Sequence, residues 1–567
     1  MKTEQDSDVE KRLLLAIILS MAILFGTPYV YQKLNLTPQP EPISTEIVEE
    51  VVPATVAKPV AEEEVTEQKR PAAVGATAAV PREVVVETDD LRLTFTNVGA
   101  YLKSARLKHY TSIAGESLEI IPQSLPVEAG GVLLLRSSEE SLNRILKEAA
   151  YEVSGPAAYS EDDFHAVSFN YRREGVEIVK RVLIPKQGYE LRVEVEMWRD
   201  GRAIPCAVQL GPGIGNLSEG SSSDFQDPAV VFFQNNKVER YYIDDFEDGE
   251  QIGGNFRWAG VDSKYFAYVL LYPSGIKNLW NTRVTPAPAA GESEGEEVAL
   301  LGTVAELGEA AAFSFYIGPK SSDELALVDS TLSELIDFGE WLGVLVKPLL
   351  VALKFIQSYV SNWGWSIILL TFLINLALFP FRYKQMASMQ KMSAVQPKLK
   401  SIQDKYKRMK KDDPRKQQMN AEVMALYKEH GVNPLGGCLP LVLQMPILFA
   451  FYRMLYTSIE LRGAPFMLWI HDLSKPDPYY ITPIVMGATM VAQQRMTPAT
   501  GDAAQRRMMM FLPILFTFFF LQVSSGLAIY FLFSNLFGMA LQFALQKFKP
   551  ELTAKGKKAT GKEKTRK

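Results

Sequence analysis

The 567-residue sequence predicts a multi-domain membrane protein. It reads as an all-β sandwich outside a membrane, joined to an α-helical membrane bundle with six crossings in total and a basic helical hairpin on the cytoplasmic side. Three observations carry this. The final 230 or so residues hold several apolar runs, whereas the first 330 hold only one. From about Val84 to Gly318, apolar and polar positions alternate with the period of two that lays one face of a strand on a core. Charge is also segregated: residues 37–90 carry twelve acidic against four basic residues, residues 382–430 thirteen basic against five acidic, and residues 547–567 nine against two. The net charge of −5 hides this division. In a membrane protein, basic loops mark the cytoplasmic side.

Residues 1–32 form the first crossing. Lys11-Arg12 precede an apolar run from Leu13 to Val30, and the exit Gly26-Thr-Pro-Tyr-Val-Tyr-Gln lacks a small-x-small cleavage site. An uncleaved anchor with a cytoplasmic N-terminus is expected. Residues 33–83, rich in Pro, Glu, Ala, Val and Thr, form a disordered acidic linker. Residues 84–320 form the sandwich: Leu91, Leu93 and Phe95 share one strand face, and Leu191, Val193, Val195 and Met197 share another. Pro185-Lys-Gln-Gly188 and Gly211-Pro-Gly213 punctuate the strands. A sandwich of this size can hold a carbohydrate cleft, yet His109 and His165 stand isolated and no carboxylate pair accompanies them. A non-catalytic folded domain is therefore expected. Cys206 and Cys438 fall in different compartments and neither has metal-ligand spacing, so no disulfide, metal or cofactor is expected.

Residues 321–362 read as an interfacial amphipathic helix region, with Leu325, Leu332, Leu335, Ile336 and Leu342 mostly at i, i+3, i+4 spacing. The apolar run beginning at Trp341 is broken by Lys347, Pro348 and Lys354. Another crossing here would also put the cation-rich segment outside. The second transmembrane helix, residues 363–382, carries Thr371 and Asn375 four residues apart and hence on one face. A polar amide in a lipid-facing helix is costly unless it meets a partner helix or water.

Residues 383–432 form the hairpin. Met386, Met389, Met392, Leu399, Ile402, Tyr406 and Met409 make one stripe, Asp412-Asp413-Pro414 turns the chain, and Met419, Val423 and Leu426 return the stripe. The stripe is expected to be the hairpin's own seam rather than an adaptable binding face. Its outer cations, among them Lys398, Lys400, Lys405, Lys407 and Arg408, suit an anionic partner, either lipid headgroup or ribosomal RNA. No DNA partner is expected.

Residues 433–546 hold the remaining four crossings. One ends near Tyr456 with Gln444 inside it, and the others contain Tyr480 to Val491, Phe511 to Val523 and Gly526 to about Phe543. The middle two offer only about a dozen apolar residues each, against the roughly 20 a bilayer core requires. Short spans predict local membrane thinning. With Thr371, Asn375, Gln444 and Asn535 they describe a shallow hydrated cavity, the alternative being ordinary hydrogen bonds between helices. Residues 547–567 form a basic cytoplasmic tail suited to ribosome contact.

Several segments now become recognisable together. They include Asn362-Trp-Gly-Trp-Ser366, Met389-Gln-Lys-Met392, Gln396-Pro-Lys398, Asn433-Pro-Leu-Gly-Gly-Cys438 and Gln444-Met-Pro-Ile447. Glu460-Leu-Arg462, Ala464-Pro-Phe466, Trp469-Ile-His-Asp-Leu473, Asp477-Pro-Tyr-Tyr480 and Ser525-Gly526 complete the set. From about Trp341 to Gln546 the chain closely resembles the YidC/Oxa/Alb family of membrane protein insertases. The anchor and β domain, including Trp258-Ala-Gly-Val-Asp-Ser-Lys-Tyr-Phe266, resemble its Gram-negative form more weakly.

The resemblance implies a periplasmic β-supersandwich and a five-helix core with an amphiphilic groove open to cytoplasm and lipid but sealed outward. It implies a bacterial inner-membrane location and a cytoplasmic hairpin that engages arriving nascent membrane proteins, alone or with the Sec translocon. It implies no covalent chemistry. By motif match, Gln444, Met445 and Leu448 lie where the family contacts substrate. Thr371 and Asn375 lie at the groove, with Tyr530 and Phe531 on its far wall. One departure stands out: many members carry an arginine where this chain has Asn375, so the groove is expected to present an uncharged amide. Arg453, near the outer end of its span, is expected to snorkel outward rather than substitute. Two rival classes remain. A channel or transporter would show an internal repeat, which is not found. An anchored periplasmic carbohydrate-active protein would lose all function with residues 84–320.

Overall fold

The computed structural model describes residues 80–548 apart from 113–114, 124, 126–128, 159–163, 216–227, 244–247, 285–299, 340–341, 407–414, 431–438 and 497–502. The expected anchor, nearly all of the acidic linker and the end of the tail lie outside the described residues, as do the Asp412-Asp413-Pro414 turn and the Asn433–Cys438 motif.

The alternation in the sequence becomes buried and open strand faces. Leu191, Val193, Val195 and Met197 of the strand Glu190–Arg199 are buried while the residues between them face out. Leu91, Leu93 and Phe95 of the strand Leu91–Thr96 are likewise buried. Two antiparallel sheets result. The smaller orders the strands Glu83–Glu87, Leu91–Thr96, Leu102–Thr111 and Ser117–Glu119 in sequence. The larger has thirteen strands among the described residues. Its 19-residue strand Phe266–Val284 pairs with Ala310–Pro319 along its first part and with Leu300–Glu306 along its last, so the sheet branches there. At one corner Gly211 has φ +121°, and a Cβ on it would lie 2.6 Å from the Cα of Gly302. Only glycine permits that close approach.

Phe95 and Phe169 meet between the sheets with ring centroids 6.0 Å apart. Lys180 is fully buried there, donating to the carbonyls of Ala100 and Leu133 at 2.6 Å each. Burial alone pulls its ammonium down to about 7. His109 is not isolated, as the sequence suggested: its Nε2 lies 2.9 Å from Asp90 on the exposed surface.

Ten α-helices are described. α1 (Glu140–Glu148) belongs to the sandwich. The segment read as one helical region after the last strand is broken. α2 (Ser322–Val328) ends at Asp329, whose carboxylate accepts from the Thr331 N–H to start a 3-10 turn over Ser330–Leu335. α3 (Gly343–Val360) follows, burying Val346, Leu350, Leu353 and Ile356 and exposing Val344, Val351, Phe355 and Tyr359. Its Lys347 pairs with Glu334 at 3.2 Å, and its Lys354 with Asp323 at 3.0 Å and Glu460 at 2.8 Å.

α4 (Trp363–Ala377) runs almost directly into α5 (Phe379–Tyr406), with the break at Leu378 and Pro380 in the first turn of α5. α6 (Arg415–Glu429) returns beside α5. Val395, Leu399 and Leu426 are buried between them, with Met392, Ile402, Val423 and Tyr427 against them. The described part of the stripe, Met392, Leu399, Ile402, Val423 and Leu426, thus packs as the hairpin's own seam, while the side chains of Met386, Met389 and Met409 lie outside those described. α7 (Leu439–Thr457), α8 (Ile481–Met496), α9 (Ala503–Phe520) and α10 (Ser525–Phe548) complete the bundle.

By length and composition α3 and Ser525–Ala544 of α10 qualify as membrane spans, while Trp363–Ala377 and Met510–Phe520 are shorter apolar stretches. At 1.5 Å per residue, α4 and α8 are roughly 22 and 24 Å long, short of a bilayer core of about 30 Å.

Candidate functional site

Several of the segments that resemble known insertases, Asn362–Ser366, Ala464–Phe466, Trp469–Leu473, Asp477–Tyr480 and Ser525–Gly526, converge on one end of the bundle. Asn362 caps α4 by accepting from the Trp365 N–H at 3.1 Å, while its Nδ2 donates to the Phe466 carbonyl at 3.1 Å. A Cβ on Gly364 would strike the Phe466 ring at 2.0 Å, so glycine is needed for that ring to lie against Trp365, 5.6 Å away. Asp477 is almost fully buried and holds three donors: Trp469 Nε1 at 3.0 Å, the Tyr479 N–H at 2.9 Å and the Thr482 N–H at 2.7 Å. Burial would raise its carboxyl, but the bonds from Thr482, Tyr479 and Trp469 outweigh it and hold the group below the usual range. Ser525 Oγ donates to the Lys475 carbonyl at 2.8 Å, and the Gly526 N–H to that of Leu473 at 3.0 Å. These bonds tie the loop after α7 to the starts of α4, α8 and α10 and close that end.

Further along, the bundle interior carries several polar side chains among its apolar ones. Thr371 is fully buried, and its hydroxyl donates to the Ile367 carbonyl one turn back. Asn375 does the same with Nδ2, donating to Thr371 O at 2.7 Å, but its Oδ1 is buried with no partner among the described residues. Gln444 Nε2 donates to the Tyr530 hydroxyl at 2.8 Å. Its Oε1 accepts from Arg382 Nη2 at 3.4 Å. Tyr530 stacks on Phe451 of α7 at 4.1 Å, and its neighbour Phe531 meets Phe520 of α9 edge-on at 4.8 Å. α10 therefore lays these two rings toward different helices. Met445 and Leu448 are half-buried on α7 beside Gln444.

Arg382 corrects an expectation. Asn375 does stand as an uncharged amide, yet the bundle interior is not without a cation. Arg382 lies seven residues further on, and its Nη1 is 3.1 Å from where a Cβ of Gly538 would sit. Among the described residues no carboxylate pairs with it. The sequence hid it by placing it at the head of a cation-rich hairpin. The available signal was the i+7 spacing from Asn375, two turns along the same face. Asn535, counted for the cavity, instead donates to Thr489 Oγ1 at 3.4 Å and ties α10 to α8. Arg453, in the last turns of α7, bonds Asp337.

On the hairpin, Lys400 is exposed, Lys398 lies 3.3 Å from His430 Nε2, and Lys405 pairs with Glu422 at 2.9 Å. Lys407 and Arg408 lie outside the described residues.

Residues 83–352 match the YidC periplasmic domain, and residues 355–552 match the family described as 60Kd inner membrane protein. The chain is 34% identical to the membrane protein insertase YidC of Syntrophus aciditrophicus, over 95% of this chain and 100% of the relative. It is also 34% identical to that of Citrifermentans bemidjiense, over 95% and 99%. A crystal structure of an active YidC insertase with its first transmembrane domain resolved aligns at 20% identity and TM-score 0.37, over 83% of this chain and 93% of that one. With both halves of the chain matched and relatives aligned along nearly its whole length, the chain belongs to the YidC family of membrane protein insertases.

Proposed function

We propose that this chain moves nascent membrane proteins into the bacterial inner membrane through the polar interior bounded by α4, α7 and α10, alone or with the Sec translocon, and assists their folding. The β domain is periplasmic and both termini are cytoplasmic. Residues 1–32, α4, α7, α8, α9 and α10 are the six crossings. α3 lies in the outer interface, a reading supported by its lysines, which pair with Glu334, Asp323 and Glu460 rather than standing in a bundle interior.

A polar or charged flank at the bilayer centre costs about 2.5–3.5 kcal/mol per charged residue on insertion scales. Arg382, Gln444, Tyr530 and the open Asn375 Oδ1, together with water in a bundle of short helices, lower that cost. The apolar part of the client then leaves along α7 and α9, past Met445, Leu448 and Phe531. The hairpin and tail cations meet the ribosome, the client or lipid headgroups. No covalent chemistry enters.

The observation that carries this reading is the line Arg382–Gln444–Tyr530, part-buried in the bundle, together with the buried Asn375 Oδ1, which has no partner among the described residues. Reconstitution of the pure chain in liposomes with a short single-span substrate tests it. Insertion well above protein-free liposomes is expected, and insertion no faster than theirs would overturn it.

A further inference from the structure

Gly538 lies in the middle of α10 with no positive φ, so its backbone does not call for glycine. Glycine is also among the poorest residues for a helix interior. The space left by the missing side chain is occupied from two directions. A Cβ on Gly538 would lie 2.7 Å from Gln493 Nε2 of α8 and 3.1 Å from Arg382 Nη1 of α5. Both distances fall inside the roughly 3.5 Å at which unbonded heavy atoms pack. Two polar side chains from two other helices thus end over one bare Cα.

The helices are held at this spacing on either side of the glycine. On one side Asn535 Nδ2 donates to Thr489 Oγ1 at 3.4 Å, and on the other the buried Gln542 donates to the Met496 carbonyl at 2.8 Å. Positions 535, 538 and 542 share one face of α10, so both bonds fix α8 against the strip of α10 that carries Gly538. A methyl group added between them displaces side-chain ends rather than helices. The guanidinium of Arg382 is a rigid plane that turns Nη1 to Gly538 and Nη2 to Gln444, so moving one nitrogen moves the other. Its bond to Gln444 is already 3.4 Å long, close to the limit for a hydrogen bond, while Gln444 stays tied to Tyr530 at 2.8 Å. We propose that Gly538 is a positioning residue for Arg382: its bare Cα seats the guanidinium against Gln444 and thereby sets how strongly the groove favours substrates with acidic tails. The consequence for substrates rests on the function proposed above, whereas the seating of Arg382 does not.

Two measurements on the full chain test this. In detergent, phenylglyoxal modification of Arg382, followed by peptide mass spectrometry, reads the seating without any insertion. Gly538→Ala should make Arg382 react faster, while the exposed Arg495 reacts as before. In proteoliposomes, the ratio of insertion rates for acidic-tailed and neutral-tailed substrates should fall about three-fold in Gly538→Ala, part of what loss of the charge itself removes. The detergent Tm should not fall in this variant, because alanine is the better helix former. Gln542→Leu, which loosens α8 from α10 without crowding Arg382, should keep the ratio. In an Arg382→Gln background, Gly538→Ala should lower the ratio no further. Unchanged Arg382 modification in Gly538→Ala would overturn the proposal, as would an unchanged ratio in a chain that inserts both substrates. So would a ratio that falls equally in Gln542→Leu, or falls further in the Arg382→Gln background. Faster Arg382 modification in Gly538→Ala, with no insertion even by the wild type, would uphold the seating and sink only the functional reading.

Discussion

Asn375 holds one bonded and one open polar atom. Its Nδ2 is bonded within α4, and its Oδ1 is buried with no protein partner among the described residues. A buried acceptor left bare costs about 1–3 kcal/mol, so the position calls for water or a client's polar group. Asn375→Leu should slow insertion of substrates with polar translocated tails about five-fold in proteoliposomes and leave apolar-tailed ones unchanged. Equal rates on both would make the residue helix packing only. Arg382 acts by charge: a partly solvated ion pair is worth about 1 kcal/mol, roughly five-fold in rate. Arg382→Gln should therefore slow substrates with acidic tails about five-fold and neutral ones hardly at all. Adding Asn375→Arg to that variant should recover much of the loss, because the two positions share a face. A variant that slows both tails alike, with no recovery, would assign Arg382 a structural role. The sequence made Thr371 and Asn375 legible through their spacing, since i and i+4 are neighbours on any helix. Arg382 was obscured because composition groups it with the hairpin, and only packing shows that its side chain turns back toward Gln444 and Gly538.

At the scale of elements, strands were legible because burial alternates with the pleat, as in Val176–Pro185, whose alternate residues are buried. Their order was not, since Phe266–Val284, besides its hairpin with Gln251–Asp262, takes two further partners through pairings up to about 50 residues distant that no local pattern specifies. The resemblance marked the loop residues as a group, but their purpose emerges only from the bonds that join Asp477, Trp469 and Thr482. That closure gives a pH-dependent prediction. Because the folded Asp477 carboxyl titrates below its unfolded value of about 3.9, its contribution is fully present above that value and is lost as pH falls through the folded one. The outer loop should thus loosen only below about pH 4, seen as faster amide exchange around Tyr479 and Thr482. Asp477→Asn removes one acceptor and aims an amide at the Thr482 N–H. A loss of about 1–3 kcal/mol is expected, lowering the detergent Tm by about 5 °C. A variant melting with the wild type would show that the carboxylate does not hold this end together.

Across the whole molecule, the polar contacts around the junction of the β domain and the bundle fall into two kinds that truncation separates. Arg453 with Asp337, Lys354 with Glu460 and Asp323, and Lys347 with Glu334 all have both partners beyond residue 320. They survive if residues 84–320 are deleted. Arg462 to the Thr111 carbonyl, Lys264 over Tyr456 and Arg257 with Asp329 each have one partner in the sandwich and vanish with it. The polar line from Arg382 to Tyr530 lies entirely in the part that remains. Deletion should therefore leave the insertion rate within about two-fold of wild type in proteoliposomes. Stability should suffer more, because Leu325, Leu332 and Leu335 are buried in the joint core and would be bared. Fully burying an aliphatic side chain is worth about 1.5–3 kcal/mol, so the truncated chain should melt lower in detergent and self-associate at concentrations where the full chain stays dispersed. Replacing the three leucines by serine in the truncated chain should restore dispersion without changing insertion. If deletion abolished insertion while the bundle still melted cooperatively, the β domain would belong to the insertion machinery itself, and the groove alone would not suffice.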